Sequence, residues 1–461
     1  MFIVPDSFQK KIFVLGLPII TLKQEAETTT FSLGPIPLFK IVNHGTKICV
    51  NLGPIELFKI RYKGVRPLPI PHPSFVPVER TTKKIFFDIG ELHKKSGQYG
   101  IARTAFELFK NLRKIMPESY KIYPVYFRSD RAGYFYANRY LRNHFCEECA
   151  PDFDFPIEFS RDDIIFQPVP EMGRLSLQKT AIQTMRQNGV KVFALFHDLI
   201  PLSHPQFVTS NLSAEFHDWI QIISEFDGII ANSKSSAEEY RAWRKKNWNG
   251  SETFSIDWFH LGADFKKYST SKLPDEAKHI LDSIQSRPSL LEVSTVEPRK
   301  GHKQTLAAFE LLWNEKIDIN YIIVGNKGWM MDDFCKKLEK HPEFGKHLFW
   351  LRGINDAYLD AVYDAAAGVI MPSETEGFGL AIIEGAHHGK PLILRDIPVF
   401  RELAGSHATY FTGLAPEPLA ECIKTWLDAF NSGNVPSSAG VQPLTWEDSA
   451  RMLLSRLPLT L

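Results

Sequence analysis

Glu376 and Glu384 stand seven intervening residues apart, with the turn Gly377-Phe378-Gly379 directly after the first of them. Carboxylates bind hydroxyl groups, and glycines let backbone N–H groups approach a ligand closely. The preceding apolar run, Ala367 to Met371, reads as a buried parallel strand, and Leu380 to His388 reads as a helix. Glu376 is therefore expected in a strand-to-helix loop, and Glu384 about two turns into the helix. The first turn of that helix, from Leu380, offers unpaired N–H groups to anions and hydroxyl oxygens. If the whole span were helical, the carboxylates would lie about 12 Å apart. A glycosidase acid/base pair needs roughly 5–9.5 Å. The spacing suits the two ends of one extended, hydroxyl-rich ligand, such as a nucleotide sugar with a hexose at one end and a ribose at the other. A solvated loop and amphipathic helix is the plain alternative; the glycines and the buried strand beside the acid pair weigh against it.

Two cations, Arg299 and Lys300, stand in Glu297-Pro-Arg-Lys-Gly301, between the strand-like run Leu290 to Val293 and a helical pattern. A planar guanidinium fork next to a compact ammonium suits a diphosphate. An isolated Arg-Lys pair is usually a solvated loop, but this loop should face the same cleft as Glu376. His197-Asp-Leu-Ile-Pro201 also closes a strand-like run. His197 there can bond a sugar hydroxyl or a leaving phosphate, and Asp198 either orients the imidazole or caps a turn. Gly97-Gln-Tyr-Gly-Ile-Ala-Arg103 opens a helix: Gly100 permits close approach, and Arg103 either contacts phosphate or braces the loop. Val324-Gly-Asn-Lys-Gly-Trp329 and Gly353-Ile-Asn-Asp356 end further strands.

Pro372-Ser-Glu-Thr-Glu-Gly-Phe-Gly, followed by Glu384, resembles the signature of GT-B retaining glycosyltransferases of the group that includes bacterial mannosyltransferases. The resemblance runs from about residue 85 to the C-terminus and is strongest over 290–405. It implies that Glu376 and the amides after it, at Gly377, Phe378, Gly379 and Leu380, hold the donor sugar, while Glu384 holds the ribose. Ser294-Thr-Val-Glu-Pro-Arg-Lys-Gly-His302 matches a second family segment. Other members carry Arg where Thr295 stands, which places more of the phosphate charge on Arg299 and Lys300. His-Asp-x-x-Pro and Gly-Ile-x-Arg segments recur in the family near the reacting sugar and the donor phosphate, and loops such as those of Asn326 and Ile354 surround the base. The implied activity is retaining transfer of a hexose, with mannose from GDP-mannose the leading case. The acceptor is a glycan or lipid-linked glycan of cell-surface polysaccharide synthesis. The donor is a substrate, and no cofactor, metal or nucleic acid is expected.

Alternating apolar strands and amphipathic helices from residue 79 onward give an α/β class with two Rossmann-like domains facing a cleft. The expected divisions are 79–286 for the acceptor domain, 287–440 for the donor domain, and 441–461 for a C-terminal helix that, in the family, crosses back. Residues 1–78 hold a threefold repeat and a proline-rich linker. Val14-Leu-Gly-Leu-Pro-Ile19, the segment from Ser32 and the segment from Asn51 begin 18 and then 19 residues apart. One copy cannot bury its own apolar face, so the copies should stack into a small β module.

Over 461 residues the net charge is +1, which excludes a global pull on nucleic acid, and the five cysteines make no disulfide framework. No apolar run reaches the roughly 20 residues of a membrane span. A cytoplasmic protein, peripheral to the inner membrane face at most, is expected. Arg241-Ala-Trp-Arg-Lys-Lys-Asn-Trp248 fits either an anionic membrane or a cation-finished helix end. Cys146-Glu-Glu-Cys149 lacks a second pair for zinc, and Asp152-Phe-Asp154 reads as a loop. Two rivals are weighed: a non-catalytic glycan-binding scaffold, which the intact acidic and basic motifs oppose, and a dehydrogenase, whose Gly-x-Gly-x-x-Gly turn is missing after the first strand.

Overall fold

The computed structural model describes the backbone of residues 7–14, 17–25, 28–33, 36–43, 47–52, 55–61 and 74–75, and residues 82–90, 92, 100–145, 147, 150–172, 175–250, 253–263 and 273–459. The chain divides into two compact units, residues 1–74 with 138–156 and residues 75–137 with 157–461.

In the smaller unit, β1 (Ser7–Val14), β2 (Leu17–Glu25), β3 (Thr28–Leu33), β4 (Ile36–Asn43), β5 (Lys47–Leu52) and β6 (Ile55–Arg61) form an antiparallel meander in chain order. The threefold repeat becomes three hairpins. Each slips register once, after Ile12, Phe31 and Val50, positions nineteen residues apart in both steps. One bulge per copy bends each hairpin alike. The excursion 138–156 belongs to this unit. In it the Asp154 carboxylate accepts from the Arg139 amide at 3.1 Å, so the Asp-x-Asp segment is a loop. Cys146 and Cys149 lie outside the described residues.

The larger unit holds two α/β halves. The first sheet contains β7 (Lys83–Asp88), β8 (Tyr120–Arg128), β9 (Gly133–Tyr136), β10 (Ile164–Gln167), β11 (Lys191–Phe196), β12 (Gly228–Ala231) and β13 (Ser255–Trp258), in the order β9-β8-β7-β10-β11-β12-β13. All pairs are parallel except the β8–β9 hairpin. The second sheet is wholly parallel: β14 (Ser289–Val293), β15 (Asn320–Val324), β16 (Leu348–Leu351), β17 (Gly368–Met371), β18 (Leu392–Arg395) and β19 (Thr409–Phe411), in the order β16-β15-β14-β17-β18-β19. The continuous apolar runs of β15 and β17 are buried along their whole length, as a parallel strand covered on both faces requires.

Seven helices matter below: α1 (Gly100–Ile115), α2 (Lys234–Asn247), α3 (His302–Asn314), α4 (Asp356–Ala365), α5 (Leu380–His387), α6 (Pro398–Ala404) and α7 (Trp446–Leu454). Helix α1 buries Ala105, Leu108, Phe109 and Leu112 on one stripe and ends in Arg113 and Lys114, where cations meet the helix dipole. Each large apolar side chain so buried contributes about 1.5–3 kcal/mol. Helix α7 packs on α1 and is tied to the segment after β13 by Ser449 Oγ on His260 O (2.7 Å) and Ala263 N on Leu444 O (2.9 Å).

Strand order reverses between β7 and β10 in the first half and between β14 and β17 in the second. Loops that leave the carboxyl ends of two such strands run to opposite faces and open a crevice between them. In the second half, the loops after β14 and β17 carry Arg299, Lys300 and Glu376.

Candidate active site

The loop after β14 folds into a 3-10 turn, Pro298–Lys300, and ends at Gly301. Gly301 has φ 84°, and a Cβ there would lie 2.5 Å from the carbonyl oxygen of Pro372, in the loop after β17. The two loops are further stitched by Glu374 N donating to Arg299 O at 2.8 Å. Glycine is thus required at 301 by both sterics and dihedral.

This stitching brings the predicted cations onto the predicted acid. Arg299 Nη1 donates to Glu376 Oε2 at 2.6 Å and to Thr375 O at 3.2 Å, and Lys300 Nζ reaches Glu376 Oε1 at 2.5 Å. Arg299 Nε also lies 3.4 Å from a Glu297 carboxylate oxygen. The Glu376 side chain is 8% exposed. Burial alone would raise its pKa, but the Arg299 and Lys300 charges outweigh burial and hold it at about 2. Burial pulls Lys300 below its ordinary value, with the Glu376 charge offsetting part of the effect. Glu297 is raised by burial, against the pull of Arg299 and Lys300. The sequence reading set the cations and Glu376 along one ligand; in the structure they also contact each other, as a buried charge needs its partner at contact distance.

The pair makes stability depend on pH. The folded pKa of Glu376, about 2, lies below its ordinary 4.5, so its contribution is complete above pH 4.5 and is lost as pH falls through about 2. Its size is on the order of 3 kcal/mol. The stability advantage of the wild type over Glu376→Gln is expected to be flat from pH 7 to 4.5 and to shrink below that, measured by urea unfolding across the range. An advantage that does not change between pH 5 and 3 would contradict the assignment.

Across the cleft, His197 follows β11. Its Nε2 lies 2.9 Å from Pro168 O, and burial lowers its pKa. The neutral ring therefore carries its proton on Nε2, donates it to the carbonyl, and keeps an acceptor lone pair on Nδ1. Asp198 Oδ1 accepts from Ile200 N at 3.0 Å, which resolves the sequence alternative: it caps the turn. The Asp198 charge also acts on Arg299, placing the two halves' loops within electrostatic reach.

Glu384 is the fifth residue of α5, one turn in rather than two: the helix begins at Leu380 as expected, and at 3.6 residues per turn its fifth residue stands just past the first turn. The eight-residue span is half loop, so the helical spacing estimate does not apply. Glu384 Oε2 accepts from the buried Tyr363 hydroxyl of α4 at 2.9 Å, and the Arg103 charge acts on that same hydroxyl. Gly379 has φ 141° and gives α5 no side-chain cap. Gly100 has φ 60° with open space where a Cβ would stand, so its dihedral, not a close approach, requires glycine; Gly97 to Tyr99 lie outside the described residues. Thr295 is exposed. Asn326 ties two neighbouring strand-end loops: its carbonyl accepts from Val296 N at 2.9 Å and its Oδ1 accepts from Gly353 N at 3.1 Å, beside Ile354.

Several groups escaped the sequence reading. Buried Asp88 closes β7 and accepts from Gly90 N and Gln167 Nε2; burial and the Glu171 charge push its pKa to about 7. Its place at the end of the first strand was the available signal. Beneath the cation loop, His302, Glu292 and Tyr321 form a fully buried cluster, with His302 Nδ1 at 2.7 Å from Glu292. Arg244 lies 3.8 Å from the centre of the Phe254 ring and donates to Ser224 O, so the cation-tryptophan segment finishes α2. Among the described residues, no helix is long and apolar enough to cross a membrane. No group of three or more His, Cys, Asp or Glu among them is placed to hold a metal ion.

Residues 275–432 match the family model described as glycosyl transferases group 1, and residues 156–243 match one described as glucosyltransferase 3-like, N-terminal domain. The second half of the larger unit thus carries the segment that matches glycosyl transferases group 1. The chain is 38% identical over 388 residues to serotype-specific mannosyltransferase WbdA of Escherichia coli, covering 83% of this chain and 46% of that protein. The chain thus spans less than half the length of that relative. O-antigen chain mannosyltransferase B of Escherichia coli is 31% identical over 132 residues, 28% of this chain and 32% of that protein. The GT-B fold is shared with Anabaena Alr3699/HepE in complex with UDP-glucose, at TM-score 0.57 and 17% identity over 81% of this chain and all of that one (100%). Sucrose-phosphate synthase of Thermosynechococcus elongatus has TM-score 0.55 and 16% identity over 81% and 98%.

Proposed function

We propose that this GT-B chain is a retaining hexosyltransferase that moves mannose from GDP-mannose to a hydroxyl of a glycan or lipid-linked glycan during cell-surface polysaccharide synthesis. The observation that carries this reading is the convergence of Arg299 and Lys300 on Glu376 at the switch point of the second sheet. The names of the mannosyltransferase relatives support the choice of sugar, and the nucleotide-sugar complex of the Anabaena neighbour supports the donor class.

The donor diphosphate takes the place of the Glu376 carboxylate on the two cations, and the released carboxylate turns to the hexose hydroxyls. Amides of Gly377 to Leu380 hold the sugar and phosphate, Glu384 holds the ribose, and His197 Nδ1 accepts from a sugar hydroxyl. The bond from C1 to the phosphate oxygen breaks while the acceptor oxygen bonds C1 from the same face. The acceptor proton passes to the departing phosphate, so no enzyme base is needed. Arg299 and Lys300 meet the growing phosphate charge from fixed positions, which removes the need for a metal. A cytoplasmic site with peripheral membrane contact completes the proposal.

The test is transfer from GDP-mannose, UDP-glucose and dTDP-glucose to a mannose disaccharide, with and without EDTA. Turnover of GDP-mannose that survives EDTA is expected. Turnover of none of the three donors would overturn the reading in favour of a non-catalytic glycan-binding protein.

A further inference from the structure

The carbonyl of Gly377, one residue beyond Glu376, is held by the opposite half of the molecule. Ser233 Oγ donates to it at 2.8 Å, and Ser236 Oγ lies 3.1 Å from both Gly377 O and His197 O. Ser233 is the N-cap of α2, and its Oγ also accepts from Ser236 N at 3.0 Å, so both its roles are filled. Both serines are buried, at 0% and 2% exposure. From the other side of the same helix end, Glu402 of α6 accepts from Lys234 N, Ser235 N and Ser235 Oγ at 2.6–2.7 Å and pairs with His260 Nε2 at 2.7 Å. The N-terminus of α2 thus receives two acceptors from the second half, a carboxylate and a carbonyl, as its dipole favours.

Only glycine fits at 377, because a Cβ there would stand 2.2 Å from His197 O. Glycine is also the residue whose flanking peptide planes turn most freely. In a trans peptide the C=O and the following N–H point opposite ways. Fixing Gly377 O on α2 therefore fixes the Phe378 N–H, aimed away from α2. We propose that Ser233 and Ser236 are positioning residues for the transfer reaction: their hydroxyls stop the Gly377–Phe378 peptide from turning and so set Glu376 and the Phe378 amide in register with His197. The proposal rests on the reading of Glu376 and the amides after it as the groups that hold the sugar.

The experiment measures kcat, donor KM and melting temperature for Ser236→Ala, Ser233→Ala/Ser236→Ala and Glu402→Gln, with GDP-mannose as donor and a mannose disaccharide as acceptor. Glu402→Gln perturbs the same interface without touching Gly377. Each hydroxyl–carbonyl bond is expected to be worth roughly fivefold in kcat, so the double variant loses about 25-fold. Glu402→Gln is expected to lower the melting temperature with kcat within about twofold of the wild type. Serine variants that lose no more kcat than Glu402→Gln would overturn the proposal, leaving the hydroxyls as interface contacts. If the double variant does not fold, Ser236→Ala, which keeps the helix cap, carries the same comparison: wild-type kcat overturns the proposal. Glu376→Gln run in parallel separates the two claims. If it is inactive while the serine variants are fully active, only the positioning role falls; if it is fully active, the site reading itself falls.

Discussion

Glu376→Gln is expected to lose sugar transfer by roughly a thousandfold and, at the same time, to bind free GDP about tenfold more tightly. The two effects have one cause. In the structure the Glu376 carboxylate occupies both cations, with contacts of 2.6 and 2.5 Å. A diphosphate must displace it, and charge-assisted bonds of this kind are each worth about 1.5–3 kcal/mol. Removing the negative charge frees Arg299 and Lys300 for phosphate but leaves no carboxylate to hold the hexose. Lys300 then has a buried charge with its main partner gone, so the unliganded variant melts lower. GDP is expected to raise its melting temperature by more than it raises that of the wild type. Calorimetric titration with GDP checks the affinity, and thermal unfolding with and without GDP checks the rescue. Weaker GDP binding in the variant would mean that the pair is structural rather than a mask over the phosphate site.

Lys300→Ala and Arg299→Lys are each expected to lower kcat/KM by about a hundredfold or more. Arg299→Lys keeps the charge, so its loss measures geometry. The guanidinium spans Glu376 Oε2, Thr375 O and the Glu297 carboxylate from one planar fork, which an ammonium cannot reproduce. Lys300→Ala removes a point charge and leaves Glu376 held by Arg299 alone. Steady-state kinetics with GDP-mannose checks both. An active Arg299→Lys enzyme would show that charge suffices and that the fork is dispensable.

The sheets were largely legible because parallel strands covered on both faces are written as uninterrupted apolar runs. Tyr321 to Val324 and Gly368 to Met371 are of this kind, and both lie in the strands observed. The two edge strands of the first sheet were not. Gly133–Tyr136 is four residues long and antiparallel, and Ser255–Trp258 is only half-buried, so neither carries a strong pattern. At the site, a strand end followed by charge and glycine is a local signal, and it singled out Arg299, Lys300 and Glu376, which the structure brings together. The contact between them was not local: nothing in either loop's sequence states that Glu374 N bonds Arg299 O. Ser233, Ser236 and Glu402 were invisible for the same reason. Their partners lie well over a hundred residues away, and each is an ordinary polar residue until the two halves meet.

A crystal structure with GDP-mannose bound tests the central claim most directly. The expected result places diphosphate oxygens on Arg299 and Lys300, with the Glu376 carboxylate turned from both cations onto the hexose. An intact Glu376 pair with the diphosphate bound elsewhere would contradict it.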